Sequence, residues 1–215
     1  MGFQNDLVVK RFAEGFPPIY QVKGPGVGLL GYSKAVGLSL AMAAFLKNIT
    51  AVASLNGHVA ITAIPLCYKD KTTHPPLPID EQQVKVIDFN ILNCSDILTD
   101  PFQAPGNQNL IPLQKAEAQL LFIVGQDDHI VESEYHATEV CKYLQAHGKE
   151  NFQILYYPGT GHCIDPPFFP LYPIGNHPIF HKRAVLGVQL RAYSKAQVHA
   201  WPQIQAFFNR YLNYN

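Results

Sequence analysis

Charge is scarce in this sequence. Asp, Glu, Lys and Arg make up 15% of its 215 residues, and 16 basic side chains balance 16 acidic ones. A chain without net charge exerts no general pull on nucleic acid or on an anionic membrane, so neither is expected as a partner. Cysteine is sparse too. Cys67, Cys94, Cys141 and Cys163 are scattered, with no Cys-x-x-Cys pair. A chain of this length needs no disulfide staples, so reduced thiols in a cytosol-like compartment are expected. There is no uncharged apolar run of about 18 residues, so no membrane span is expected. The opening "MGFQNDLVVKRFAEGF" lacks the apolar stretch of a signal peptide and the Ser or Thr that a myristoylation site carries at its sixth position. The closing "RYLNYN" is not a peroxisomal Ser-Lys-Leu. Together these absences predict a cytoplasmic protein. No internal repeat or low-complexity segment appears.

What is present is enough apolar material, 47% of residues, for one globular domain with a sizeable core. Short apolar runs at 26–31, 50–56, 118–125 and 152–159 read as strands. Between and after them, 34–46 reads as a helix buried on most sides. Residues 132–147 read as a helix capped by Ser133, with Tyr135, Val140, Tyr143 and Leu144 on one face. Residues 194–212 read as an amphipathic helix burying Val198, Trp201, Ile204, Phe207, Phe208 and Leu212. A long insert, 58–118, is rich in breakers such as "HPPLP" and "DPFQAPGNQN" and is expected to carry short helices over a site. Strands alternating with helices predict an α/β fold, a parallel sheet flanked by helices.

The stretch "GVGLLGYSKAVGLSLAMAAFL", 26–46, admits three readings. Gly26, Gly28 and Gly31 match G-x-G-x-x-G, yet the preceding residues make a poor strand. The first acidic residue downstream is Asp70, about twice the ~20-residue spacing a ribose contact wants. A phosphate loop requires Gly-Lys-Ser/Thr, but Tyr32-Ser33 follows Gly31 and displaces Lys34. The third reading is a nucleophile elbow, strand then G-x-S-x-G then helix, with Ala35 standing for the second glycine. Ser33 then sits at the carboxyl end of a strand, and the Lys34 backbone N–H at the helix start faces a developing oxyanion. The bland alternative is a Gly-Ser turn with no chemistry.

An elbow serine needs an acid and a histidine later in the chain. "FIVGQDDHIV" supplies Asp127 and Asp128 directly after one predicted strand, and "YYPGTGHCIDPP" supplies His162 after the last. All three positions fall at carboxyl ends of parallel strands, where such sheets place their sites. His162 then takes the Ser33 proton while the acid orients the imidazole. His129 reads as a surface residue. His177 and His181 have metal-like spacing, but Pro178 breaks a helix there and no clustered third ligand appears, so no metal is expected.

From about Gly24 to Leu212 the sequence resembles the C-terminal catalytic domain of the acyl-CoA thioesterases grouped with bile acid-CoA:amino acid N-acyltransferase. The stretches that carry the resemblance are "VKGPGVGLLGYSK", "LAMAAFLKNITA", "FIVGQDDH", "LQAHGKE", "YPGTGHCIDPP" and "SKAQVHAW". It implies an α/β-hydrolase fold and a Ser (or Cys)-Asp-His set, matched by Ser33, Asp128 and His162. Asp128 is preferred to Asp127 by the spacing Gly125-x-x-Asp128-x-x-Val131. Ala35-Val36 replace two family glycines, and "AVLGVQLRAY" stands where a Trp-Gly-Gly-Glu segment is usual.

The resemblance implies hydrolysis of an acyl-CoA to fatty acid and CoA, with CoA as part of the substrate and no cofactor. The apolar insert and the aromatic loop 166–173 are candidates to hold the acyl chain. The alternatives are acyl transfer to an amino acid and a catalytically impaired remnant. Residues 1–25 read as a divergent segment before a catalytic portion, 26–215, that lacks the fold's early strands. That predicts an absent second oxyanion donor, turnover at least ~100-fold below a full-length relative, and self-association through an exposed sheet edge.

Overall fold

The computed structural model describes residues 26–68, 71–187 and 189–213. The segment 1–25, and any oxyanion donor within it, lie outside the described residues. In chain order the elements are β1 (Val27–Tyr32), α1 (Lys34–Phe45), β2 (Ile49–Leu55), β3 (Leu66–Tyr68), β4 (Lys71–His74), β5 (Lys85–Ile87), β6 (Ile91–Asn93), β7 (Gln119–Gly125), α2 (Ser133–Ala146), β8 (Phe152–Tyr157), β9 (Ile174–Asn176), β10 (Arg183–Val185) and α3 (Leu190–Leu212).

The four strands with near-continuous apolar runs build one parallel sheet in the order β1-β2-β7-β8. Such runs suit strands covered on both faces. Side chains sort by the period of two. Val52, Leu120 and Phe122 join Val36 and Leu40 of α1 and Val140 and Leu144 of α2 on one face. Ala51, Ala53, Leu121 and Ile123 pack on the other against Ala196, Ala200, Ile204 and Phe207 of α3. Each Leu or Ile so buried stabilises the fold by about 1.5–3 kcal/mol. Among the described residues β1 is an edge strand, and Val27 and Leu30 on it are exposed.

Two helices differ from their sequence reading. In α3 the stripe that meets the sheet is Ala196, Ala200, Ile204 and Phe207, spaced by four and three residues. Val198 lies two residues, about 200°, off that stripe and is 57% exposed, so it is not a core residue. In α2 the buried face is Ser133, His136, Ala137, Val140, Cys141 and Leu144. Tyr135 and Tyr143 sit at its half-buried margins. Glu132 occupies the cap position, and the Ser133 hydroxyl donates to Asp128 instead.

The insert holds more strand than expected. β3 and β4 form a hairpin. β5 and β6 join β10 and β9 in a second sheet, ordered β5-β6-β10-β9, so this sheet draws on the insert and on the loop after β8. A small core of Leu92, Cys94, Ile97 and Ala184, with Ile79, Leu98 and Ile130 packed on it, joins that sheet to the loop after β7.

Candidate active site

The turn between β1 and α1 is tight. Ser33 holds φ 54° and ψ −123°, a conformation that strains an L residue by roughly 1–3 kcal/mol. The Ser33 N–H donates to Leu55 O at 2.9 Å, and Val36 N–H donates to Ser33 O at 3.0 Å. Glycine is needed at position 31 because a Cβ there would lie 2.7 Å from Ser39 Oγ and 2.9 Å from Ala35 O. Gly57 does the same for the turn after β2, where a Cβ would come within 2.4 Å of Ser33 O. Lys34 opens α1, so its backbone N–H is one of those with no acceptor inside the helix.

Three elements bring the polar groups together. Ser33 leaves β1, Asp128 follows β7 and His162 follows β8. Ser33 Oγ and His162 Nε2 are 2.7 Å apart, and His162 Nδ1 lies 2.9 Å and 3.0 Å from the two Asp128 oxygens. His162 Nδ1–H therefore donates to the carboxylate, which leaves Nε2 to accept the Ser33 hydroxyl proton. The Asp128 side chain is only 2% exposed. It also accepts from Ile130 N–H at 2.9 Å, Val131 N–H at 3.1 Å and Ser133 Oγ at 2.6 Å. Asp127 points elsewhere. Asn93 Nδ2 donates to His129 Nδ1 at 2.8 Å, so His129 donates from Nε2 to Asp127 Oδ1 at 3.2 Å.

Asn56 is the residue that sequence reasoning missed. It is buried, at φ 44°. Its Nδ2 donates to Gly161 O at 3.0 Å and His162 O at 2.8 Å, and its Oδ1 accepts from Gly125 N–H at 2.7 Å. One side chain thus ties the ends of β2 and β7 to the histidine loop. The signal available was Asn-Gly directly after an apolar strand, which marks a positive-φ turn.

Ser33 and His162 open on a cavity of about 640 Å³. Ile64, Ile79, Ile97 and Leu98 of the insert, Ile130 after β7, and Ala184 and Leu186 near β10 supply its apolar wall. The aromatic loop 166–173 does not line it: Phe168 is 97% exposed, and Gln197 on α3 holds the loop by donating to Pro166 O and Phe169 O. Tyr32 OH donates to Cys163 Sγ at 2.9 Å. Burial, with the neighbouring Cys163, raises the Tyr32 phenol, and burial raises the Cys163 thiol, so both stay protonated near neutral pH. Burial also depresses His58, far below its ordinary value, and His177, and holds His136 near 4. Among the described residues no group of three His, Cys, Asp or Glu side chains is placed to hold a metal ion.

The family described as "BAAT / Acyl-CoA thioester hydrolase C terminal" matches residues 18–214. This chain belongs to that family. Acyl-coenzyme A thioesterase 1 of Homo sapiens is 46% identical over 192 residues, covering 89% of this chain and 45% of that protein. Acyl-coenzyme A thioesterase 6 of Homo sapiens is 45% identical over 212 residues, covering 97% and 50%. The chain therefore spans about half the length of these curated relatives. A third relative at 46% identity, acyl-coenzyme A thioesterase 2 of Homo sapiens, is named as mitochondrial, so the relatives' names do not bear out a cytoplasmic location. Among the described residues of this chain, no helix is long and apolar enough to cross a membrane. The parallel sheet, the strand–Ser33–helix turn and the order Ser, Asp, His along the chain match the α/β-hydrolase arrangement.

Proposed function

We propose that this chain hydrolyses acyl-CoA thioesters, with Ser33 as nucleophile, His162 as general base and Asp128 as the group that orients the imidazole. One observation carries the reading: the continuous hydrogen-bonded path from Asp128 through His162 to Ser33 at the wall of an apolar cavity. The names of its thioesterase relatives support water, rather than an amino acid, as the acyl acceptor.

The steps follow from the geometry. Ser33 Oγ attacks the thioester carbonyl carbon as its proton passes to His162 Nε2. The carbonyl oxygen becomes an oxyanion beside the Lys34 backbone N–H, at the positive end of α1. Asp128 stabilises the imidazolium that forms without taking its proton. Collapse breaks the carbon–sulfur bond, and CoA leaves as a thiol with the proton from His162. Water then attacks the acyl-serine, gives a proton to His162, and the fatty acid departs as that proton returns to Ser33 Oγ. Neither a metal nor a cofactor enters these steps. The strained positive-φ backbone at Ser33 holds its hydroxyl 2.7 Å from the imidazole.

The test is thiol release from dodecanoyl-CoA by the purified chain and its Ser33→Ala variant. Loss of at least about 10³-fold in kcat is expected. Equal thiol release by the two proteins overturns the proposal.

A further inference from the structure

Two histidines outside the Asp128–His162–Ser33 path line the same cavity. His58 follows Gly57 on the turn after β2, His177 follows β9, and both are buried. Each has one ring nitrogen engaged by protein. Ile179 N–H donates to His177 Nδ1 at 3.3 Å, so the proton of the neutral ring sits on Nε2.

His58 requires an argument from its partner. His58 Nδ1 lies 3.4 Å from His136 Nε2, and His136 Nδ1 is buried with no partner. Both rings are neutral near pH 7, held so by burial. If His58 were the donor, the proton of His136 would sit on Nδ1, an N–H stranded in the core. If His136 donates from Nε2, only a bare lone pair is stranded. Orphaned buried N–H groups are rarer than under-used acceptors. His136 is therefore the donor, and His58 keeps its own proton on Nε2. Neither cavity histidine has a hydrogen-bond partner for Nε2 among the described residues, and both side chains line the cavity. The cavity thus carries two neutral N–H donors in a largely apolar wall.

We infer that this cavity selects acyl groups bearing a hydrogen-bond acceptor, a hydroxyl or oxo oxygen, within the first few carbons of the thioester, and that the Nε2–H groups of His58 and His177 read it. The inference rests on the thioesterase reading for the identity of the acyl group. A plain alkyl chain strips water from both donors and returns nothing, whereas an oxygenated chain replaces that water. A site left with unpaired polar groups discriminates more sharply than an apolar pocket does by size. The acceptor belongs near the thioester because both histidines line the cavity on which Ser33 and His162 open.

The experiment compares 3-hydroxydodecanoyl-CoA with dodecanoyl-CoA on the whole chain. The hydroxy ester is expected to have the higher kcat/KM by at least about tenfold, ~1.4 kcal/mol. His58→Phe and His177→Phe each bring the ratio towards one. The ratio is internal to each protein, so partial misfolding cancels, and if His58→Phe does not fold then His177→Phe carries the test. Equal kcat/KM for the two esters, or an unchanged ratio in His177→Phe, overturns the inference. An equal fall on both esters assigns the histidines to the CoA moiety and overturns it as well. If neither ester is hydrolysed, the thioesterase reading fails. Calorimetric Kd values for the two esters on the Ser33→Ala chain then decide: tighter binding of the hydroxy ester sustains selection by the cavity, and equal Kd values overturn it.

Discussion

Asn56→Ala removes the side chain that fastens the histidine loop to the sheet. Two donated bonds, to Gly161 O and His162 O, and one accepted bond, from Gly125 N–H, disappear in a buried place. At ~1 kcal/mol net for each bond, the loss is roughly 3 kcal/mol. Alanine must also hold the φ of 44° that asparagine tolerates, which adds roughly 1–2 kcal/mol. A total of roughly 4–5 kcal/mol, at about 2–4 °C per kcal/mol for a domain of this size, lowers Tm by roughly 8–20 °C. Activity should fall as well, because His162 donates and accepts from a loop that Asn56 holds; displacement of such a group by about 1 Å can lower a rate by ~10²-fold. Thermal unfolding followed by circular dichroism, with kcat measured well below the new Tm, tests both parts. A Tm within about 3 °C of the parent, together with an unchanged kcat, would refute the reasoning.

Asp128→Asn should lower kcat by about 10³–10⁴-fold, since an amide no longer fixes the imidazole tautomer, whereas Asp127→Asn should stay within about threefold; the pair is compared in one steady-state assay. Gly31→Val would drive a side chain into Ser39 Oγ and the Ala35 carbonyl, so chemical unfolding should show a loss of about 1–3 kcal/mol and kcat should drop with it. Acid should weaken the fold through His136, whose folded value is near 4 against an ordinary 6.5. Between those two values the unfolded chain binds the extra proton, so stability falls as pH falls, by roughly 2 kcal/mol from pH 6.5 to 5 at ~1.4 kcal/mol per unit. Urea unfolding of the parent and of His136→Leu at pH 7 and pH 5 reads this directly: a parent no less stable at pH 5, or a variant with the parent's full pH dependence, counts against it.

The main sheet was legible because its strands are apolar on both faces. "QLLFIVG" has no other plausible home than a covered parallel strand. Ser33, Asp128 and His162 were legible as a group through chain order and strand ends, and the structure brings all three within hydrogen-bonding distance. The second sheet was not, because strands of three residues such as Lys85–Ile87 and Arg183–Val185 have no period to read. Val198 was misread because a single valine outweighed two alanines, Ala196 and Ala200, whose small side chains let α3 approach the sheet. The contacts of Asn56 and His58 are long-range and were not legible: the partners of Asn56 lie 69 to 106 residues away, and His136 lies 78 residues from His58.

The central claim is that Ser33 carries the acyl group. The direct measurement is intact-mass analysis of the chain quenched during turnover of a slow acyl-CoA, followed by peptide mapping of the adduct. The account predicts one acyl increment, placed on Ser33 and absent from Ser33→Ala. An adduct on Cys163, or thiol release that continues undiminished in Ser33→Ala without any adduct, would contradict it.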